Sequence, residues 1–100
     1  MAPVLIPVPL RRPGVNAVLI LEAYEEGGEI ICGLRHLEGS IRLGPKALRS
    51  AVAEEVTKIE GIVAAHGCSE IRHAGRDWSK LLPGFEPDPD LENGLRKRLA

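Results

Sequence analysis

The sequence predicts an α+β fold, an antiparallel sheet with one long amphipathic helix packed on it. Three observations carry this expectation. Two apolar, β-branched runs, Val15 to Tyr24 and Glu29 to Leu37, flank the turn Glu25-Glu26-Gly27-Gly28 and read as a hairpin. From Pro45 to His66, apolar residues recur every three or four positions, the period of a half-buried helix. The 100 residues are 44% hydrophobic and 27% charged, which is globular composition and excludes a disordered chain.

Residues 1–14 read as a Pro-rich extended arm ahead of a single domain at 15–100. Pro7 and Pro9 each lack a backbone donor, so Val4 to Leu10 cannot be a central strand. The segment is either an edge strand of its own sheet or an arm laid on a neighbouring subunit. An exposed apolar arm is costly for a monomer, which favours the neighbour. Val4, Leu5, Ile6, Val8 and Leu10 are therefore candidate contact residues for a protein partner. Pro13-Gly14 turns the chain into the hairpin.

The run Val15 to Tyr24 is nearly continuous in apolar residues, as expected of a strand covered on both faces. Glu38 to Gly44 reads as a loop, and Pro45 then takes the first helical position, where a missing N–H costs nothing. Leu48, Val52, Val56, Ile59 and Val63 form the apolar stripe, widened by Ala51 and Ile62. Arg49, Glu54, Lys58 and Glu60 lie off it, with Glu54 and Lys58 at i,i+4 spacing for an ion pair. Gly67 suits the left-handed position after the helix.

A short strand is expected over Cys68 to His73 and a short helix over Asp77 to Leu82, with Asp77 as its cap and Pro83-Gly84 as its stop. Glu86 to Asp90 reads as a rigid acidic loop. The tail fits two patterns. Leu91, Leu95 and Leu99 share one face of a helix begun at Asp90, while Leu95 and Leu99 share one face of a strand begun at Gly94.

Charge narrows the function. Thirteen basic and 14 acidic residues leave a net charge of −1, so no broad field attracts nucleic acid or an anionic membrane. The chain holds one Trp, one Tyr and one Phe, too few for a row of base-stacking platforms. Cys32 and Cys68 read as reduced, packed thiols. Met1 to Pro9 lacks the basic stretch of an export signal, so a cytoplasmic protein is expected. His66, Cys68 and His73, with Cys32 as a fourth group, have zinc-ligand chemistry, but H-x-C-x4-H matches no common zinc pattern and no metal is expected. Glu22 has the chemistry of a base; beside Glu25 and Glu26 it is expected to be solvated. Ser40 and Ser50 lack a His–Asp context for nucleophilic catalysis.

The C-terminal half adds a resemblance. The long helix ends in Ala65-His66-Gly67-Cys68-Ser69-Glu70-Ile71. Gly75-Arg76 follows, then Trp78-Ser79-Lys80-Leu81-Leu82, Gly84-Phe85-Glu86 and a terminal segment from Leu95 to Leu99. This order resembles the C-terminal portion of the GNAT N-acetyltransferase superfamily, in particular small GNAT-like proteins encoded by bacteriophages and prophages. The resemblance covers Val15 to Leu99 in element order and is specific over Gly67 to Phe85. It implies a truncated GNAT-like fold in which Arg76, Trp78 and Phe85 are structural anchors. Arg76 would stack on Trp78 or pin the acidic loop at Asp88 and Asp90.

Acetyl-CoA is the family's cofactor, its pyrophosphate held on N–H groups at the start of the long helix under an R/Q-x-x-G-x-G/A signature. The matching stretch here is Ile41-Arg42-Leu43-Gly44-Pro45-Lys46. Gly44 fits. Ile41 replaces the basic or amide residue, Lys46 replaces the small one, and Pro45 removes a donor. Arg42, Gly44 and Lys46 are the residues that would hold an acyl-CoA, the two cations as point charges. Trp78 stands where the family places a general-acid Tyr, and an indole is no acid at neutral pH. Only Met1 to Gly14 precedes the hairpin, where a full domain carries the elements that shape the acceptor site. These departures imply no catalytic residue and no cofactor. The expectation is a non-catalytic phage or prophage module, a virion or assembly component or protein-binding domain, in the host cytoplasm or the virion. Its partners would be copies of itself or other virion proteins. Two alternatives are an acyl-CoA-dependent N-acetyltransferase and a small regulator or inhibitor of a host protein.

Overall fold

The computed structural model describes residues 2–99. Along the chain come β1 (Val4–Arg12), β2 (Val15–Glu26), β3 (Glu29–Ile41), α1 (Pro45–Ala65), β4 (Glu70–His73), β5 (Glu86–Asp88) and β6 (Gly94–Arg98). The strands form one sheet in the order β1-β2-β3-β4-β6-β5, and α1 packs on one face of it. The fold is α+β, but the sheet is mixed and not wholly antiparallel. β4 runs parallel to β3 through Ile31↔Glu70, Cys32↔Ile71 and Gly33↔Arg72. Parallel neighbours need a crossover of a dozen or more residues, and the 21-residue α1 supplies it.

The segment expected to reach a neighbour is the edge strand of its own sheet. β1 pairs with β2 without interruption from Val4↔Ala23 to Arg12↔Val15. Ile6, Val8 and Leu10 are buried opposite Leu21, Leu19 and Ala17. Each apolar side chain so buried is worth about 1.5–3 kcal/mol, more than an exposed arm could recover. Pro7 and Pro9 have the opposite parity. An unbroken ladder requires their nitrogens to face away from β2, so the outer edge lacks two donors and discourages a further strand. At the other edge, β5 is three residues long and contains Pro87.

β2 is covered on one face, not two. Ala17, Leu19, Leu21 and Ala23 are buried under α1, while Val18, Ile20 and Tyr24 on the opposite face are half-buried. β3 continues to Ile41, so most of the expected loop before the helix is strand. Its pairing shifts at Ile20↔His36 and Leu21↔Leu34, which leaves Arg35 as an extra residue. The bulge returns both Leu34 and Leu37 to the core face, opposite Leu21 and Leu19. Gly39 (φ +116°) passes so close to β2 that a Cβ would lie 2.3 Å from the Asn16 carbonyl oxygen.

The helix boundaries follow the sequence signals. Gly44 is the N-cap, Pro45 opens the first turn, His66 is the C-cap and Gly67 takes φ +80°. Ala51, Ile59 and Val63 are buried, whereas Leu48, Val52 and Val56 are half-buried. Glu54 pairs with Arg12 at 2.7 Å and not with Lys58, because β1 brings a guanidinium against that helix face.

Beyond β4, two expectations change and one alternative is resolved. Asp77 to Leu82 is a single turn, in which the Leu81 and Leu82 N–H groups donate to the Trp78 carbonyl at 2.9 Å. Pro83 and Gly84 stop the segment before a helix can propagate from so costly a nucleus. Asp77 still caps it, accepting from the Ser79 N–H at 3.1 Å. Part of the expected acidic loop, Glu86 to Asp88, is β5 on the free side of β6. The tail is a strand: Leu95 faces His73 across the β4–β6 ladder, and Gly94 lies where a Cβ would sit 2.6 Å from the Asp88 carbonyl oxygen.

Candidate functional site

α1 lies close to the sheet at its C-terminal end and stands off it at its N-terminal end. The gap is a cleft of about 350 Å³. Leu19, Leu34 and Leu37 form its floor, Leu48, Val52 and Val56 its helical wall, and Trp78 and Leu81 close one end. Two features of the sequence open it. β3 and β4 pair over three residues only; β3 then runs on to Ile41 while β4 stops at His73. The first turns of α1 carry Leu, Ala and Val, and the chain has too few aromatic side chains to fill the space left.

Three charged residues, Arg12, Glu55 and Arg76, reach this apolar cleft. An Arg12 nitrogen lies 2.7 Å from Glu54 and 3.7 Å from Glu55. Glu55 Oε2 is buried with no hydrogen-bond partner. Sequence reading did not single out Glu55. Its signal was present: it lies four residues after Ala51 and four before Ile59, both buried, and so interrupts the buried face with a charge.

Arg42, Gly44 and Lys46, the candidate cofactor residues, are exposed around the start of α1. Gly44 offers no side-chain cap and Pro45 no N–H, while the Leu48 N–H already donates to the Gly44 carbonyl at 2.8 Å. Helix geometry leaves the N–H groups of Gly44, Lys46 and Ala47 for an anion. Pro45 interrupts this run of donors and the flanking cations are exposed, so the preorganised nest that a pyrophosphate needs is incomplete and the residues present do not fit that group.

Trp78 stacks on His73, with ring centroids 4.1 Å apart and planes 5° from parallel. His73 Nε2 lies 3.1 Å from the Arg76 carbonyl oxygen, which requires the ring to donate there. Arg76 is exposed at the rim of the cleft and does not take the place on Trp78, which His73 holds. The acidic segment it was expected to pin holds itself, Asp88 accepting from the Asp90 N–H at 3.2 Å. Phe85 is half-buried against the core.

Of the five candidate contact residues in β1, Val4 and Leu5 remain exposed (48% and 62%), and Ile6, Val8 and Leu10 belong to the core. The sheet face away from α1 carries a charged ladder. Glu22, expected to be solvated, pairs with Arg35 at 2.6 Å. Arg72 bridges Glu70 and Glu26, and Arg98 pairs with Glu29 at 2.8 Å. Hydrogen bonding to Arg98 holds the Glu29 carboxyl below its ordinary value. Burial works against the Arg72 charge, but bonds to Glu70 and Glu26 outweigh it and raise its pKa.

Of the four residues with zinc-ligand chemistry, Cys32 and Cys68 are neighbours, and the two histidines lie apart from them. His66 is exposed at the helix end and His73 is stacked on Trp78, while Cys32 and Cys68 are buried. Among the described residues, no group of three or more His, Cys, Asp or Glu is placed to hold a metal ion. Burial, followed by the neighbouring Cys68, pushes the Cys32 thiol up to about 12. Among the described residues, no helix is long and apolar enough to cross a membrane. Comparison with protein-family models, curated proteins and solved structures gives no match for this chain.

Proposed function

We propose that this chain is a non-catalytic, GNAT-like module of phage or prophage type that acts by binding a protein, as a virion or assembly component. The observation that carries the reading is the start of α1. Pro45 deletes a donor there, and Lys46 stands in place of the small residue. Trp78 adds to it, since its ring is held against His73 and has no acidic proton to give. The element order supports the GNAT-like part of the reading: a strand, the long helix, a parallel strand, a short turn bearing Trp78, and two closing strands.

The mode of binding is side-chain docking. Pro7, Pro9 and Pro87 occupy the two sheet edges, so a partner is not gained by adding a strand. Titration calorimetry with acetyl-CoA tests the non-catalytic reading, with no saturable heat expected. Micromolar binding would overturn it in favour of an acyl-CoA-dependent N-acetyltransferase. That second reading draws on one observation, the cleft where β3 and β4 part.

A further inference from the structure

We infer that the end of the molecule formed by the β1–β2 turn, the β3–α1 link and the first turns of α1 binds the phosphate backbone of double-stranded DNA, without reading its sequence. This goes beyond the protein-binding reading above and does not rest on it.

The first argument is where the charges fall. The net charge of −1 conceals a segregation. Residues 1–21 and 39–53 hold Arg11, Arg12, Arg42, Lys46 and Arg49 and no acidic residue, while all 14 acidic residues lie elsewhere. The fold brings the five cations to one end. Arg12, Val15 and Ile41 are paired in one row across β1, β2 and β3. The Arg42 N–H donates to the Gly14 carbonyl at 2.7 Å, and Leu43 lies against Gly14. Leu43 and Leu48 line the same cleft, which sets the first turns of α1 over these strand ends. Arg12 is engaged by Glu54 and Glu55. Among the described residues, Arg11, Arg42, Lys46 and Arg49 are exposed and have no ion-pair partner. With both glutamates counted, the end keeps a positive charge, and the helix dipole adds the same sign.

The second argument is the chemistry of the occupant. Backbone phosphates are held by Arg, Lys, Asn and Ser side chains. Arg11, Asn16 and Ser40 stand in one exposed row across the three strands, so the cationic end is continued by neutral donors. A run of separate phosphates needs no closed nest of the kind a pyrophosphate requires. A protein partner would be met by an apolar centre, and Ile41 is the one large apolar side chain exposed at this end. Single strands are gripped by stacking on aromatic rings, of which residues 1–21 and 39–53 contain none. The body measures 26 × 23 Å across its long axis. That is room for roughly seven base pairs, whereas a surface that follows duplex RNA spans about 16.

The test is fluorescence anisotropy of a labelled, mixed-sequence DNA duplex titrated with the full-length protein at a series of salt concentrations. Four unpaired cations predict a slope of log K against log salt of about −3 to −4, and equal affinity for a duplex of scrambled sequence. Arg42→Glu with Lys46→Glu should weaken binding by roughly tenfold or more. Lys58→Glu with Arg96→Glu makes the same change of total charge on exposed side chains away from this end, and should leave affinity within about twofold. Arg42→Gln with Lys46→Gln should reduce the magnitude of the salt slope by about two, a change that misfolding does not produce. The inference is overturned by no binding at low salt, by a slope near zero, or by equal weakening in the two charge-reversed proteins. It is also overturned if single-stranded DNA, duplex RNA, polyglutamate or phosphatidylserine vesicles bind more tightly than the duplex.

Discussion

Trp78 lies flat on His73, and this contact ties the turn after β4 to the end of that strand. The two rings are 4.1 Å apart with an interplanar angle of 5°. The same turn closes one end of the cleft, so its position bears on both stability and the shape of the cleft. Trp78→Ala should lower unfolding free energy by roughly 2–3 kcal/mol, less than the ~3–5 kcal/mol of a fully buried aromatic because Trp78 is half-exposed. Urea denaturation measures it. Trp78→Tyr, which supplies a phenol at this position, should still show no acetyl transfer from acetyl-CoA.

Removal of β1 should unfold the domain and not merely detach a contact arm. Ile6→Ala should cost roughly 2–4 kcal/mol, since Ile6 is buried opposite Leu21. Leu5→Ala, one position away on the exposed face, should stay within about 0.5 kcal/mol. Equal effects of the two in chemical denaturation would reject the assigned register.

Two glycines separate conformational need from habit. Gly39→Ala should destabilise by more than about 1 kcal/mol, because the position has φ +116° and a Cβ would meet the Asn16 carbonyl. Gly61→Ala should stabilise by about 1 kcal/mol, as the site is helical and its Cβ would enter open space. Thermal melts of the two variants should move in opposite directions.

Cys32 gives an alkaline signature. In the unfolded chain the thiol ionises near its ordinary 9.0, but burial raises it to about 12 in the folded protein. The unfolded state therefore sheds its proton first as pH rises. The contribution to stability is complete below pH 9 and is lost progressively between 9 and 12. Cys32→Ser should flatten the decline seen by denaturant titration across that range. At pH 8, native protein should react with iodoacetamide at Cys32 far more slowly than denatured protein.

The hairpin and the long helix were legible because their signals are local. Pro45, Gly67 and the Gly27-Gly28 turn each mark a boundary by backbone chemistry alone. The length of β3 was not legible. The bulge at Arg35 breaks the alternation, so Leu34 and Leu37 look out of phase although both face the core. The parallel β3–β4 pairing and the capture of β1 depend on which strands meet, which periodicity does not encode. The cleft was hidden for a related reason. A stripe tells which face of α1 turns inward, not how far from the sheet its first turns stand. Glu55 was overlooked because a single charge beside an apolar stripe reads as a stripe edge, and only the tertiary packing shows its oxygen to be enclosed.

The narrow β3–β4 junction also orders the folding of the chain. β1, β2 and β3 are linked by short turns, so their pairing closes small loops and can proceed early. Cys32 meets Ile71 only after the whole of α1 has been threaded between them, and three ladder pairs, with the Arg72–Glu26 and Arg98–Glu29 ion pairs, then join the two halves of the sheet. Contacts so distant in sequence form slowly, which makes docking of the β4–β6 half the late event. Until it docks, the first three strands and the helix form an incomplete body with Ile31 and Cys32 bare on its flank. The last three tenths of the chain thus act as the latch of the domain, and damage there would be felt as slow or failed closure before it was felt as a loosened native state.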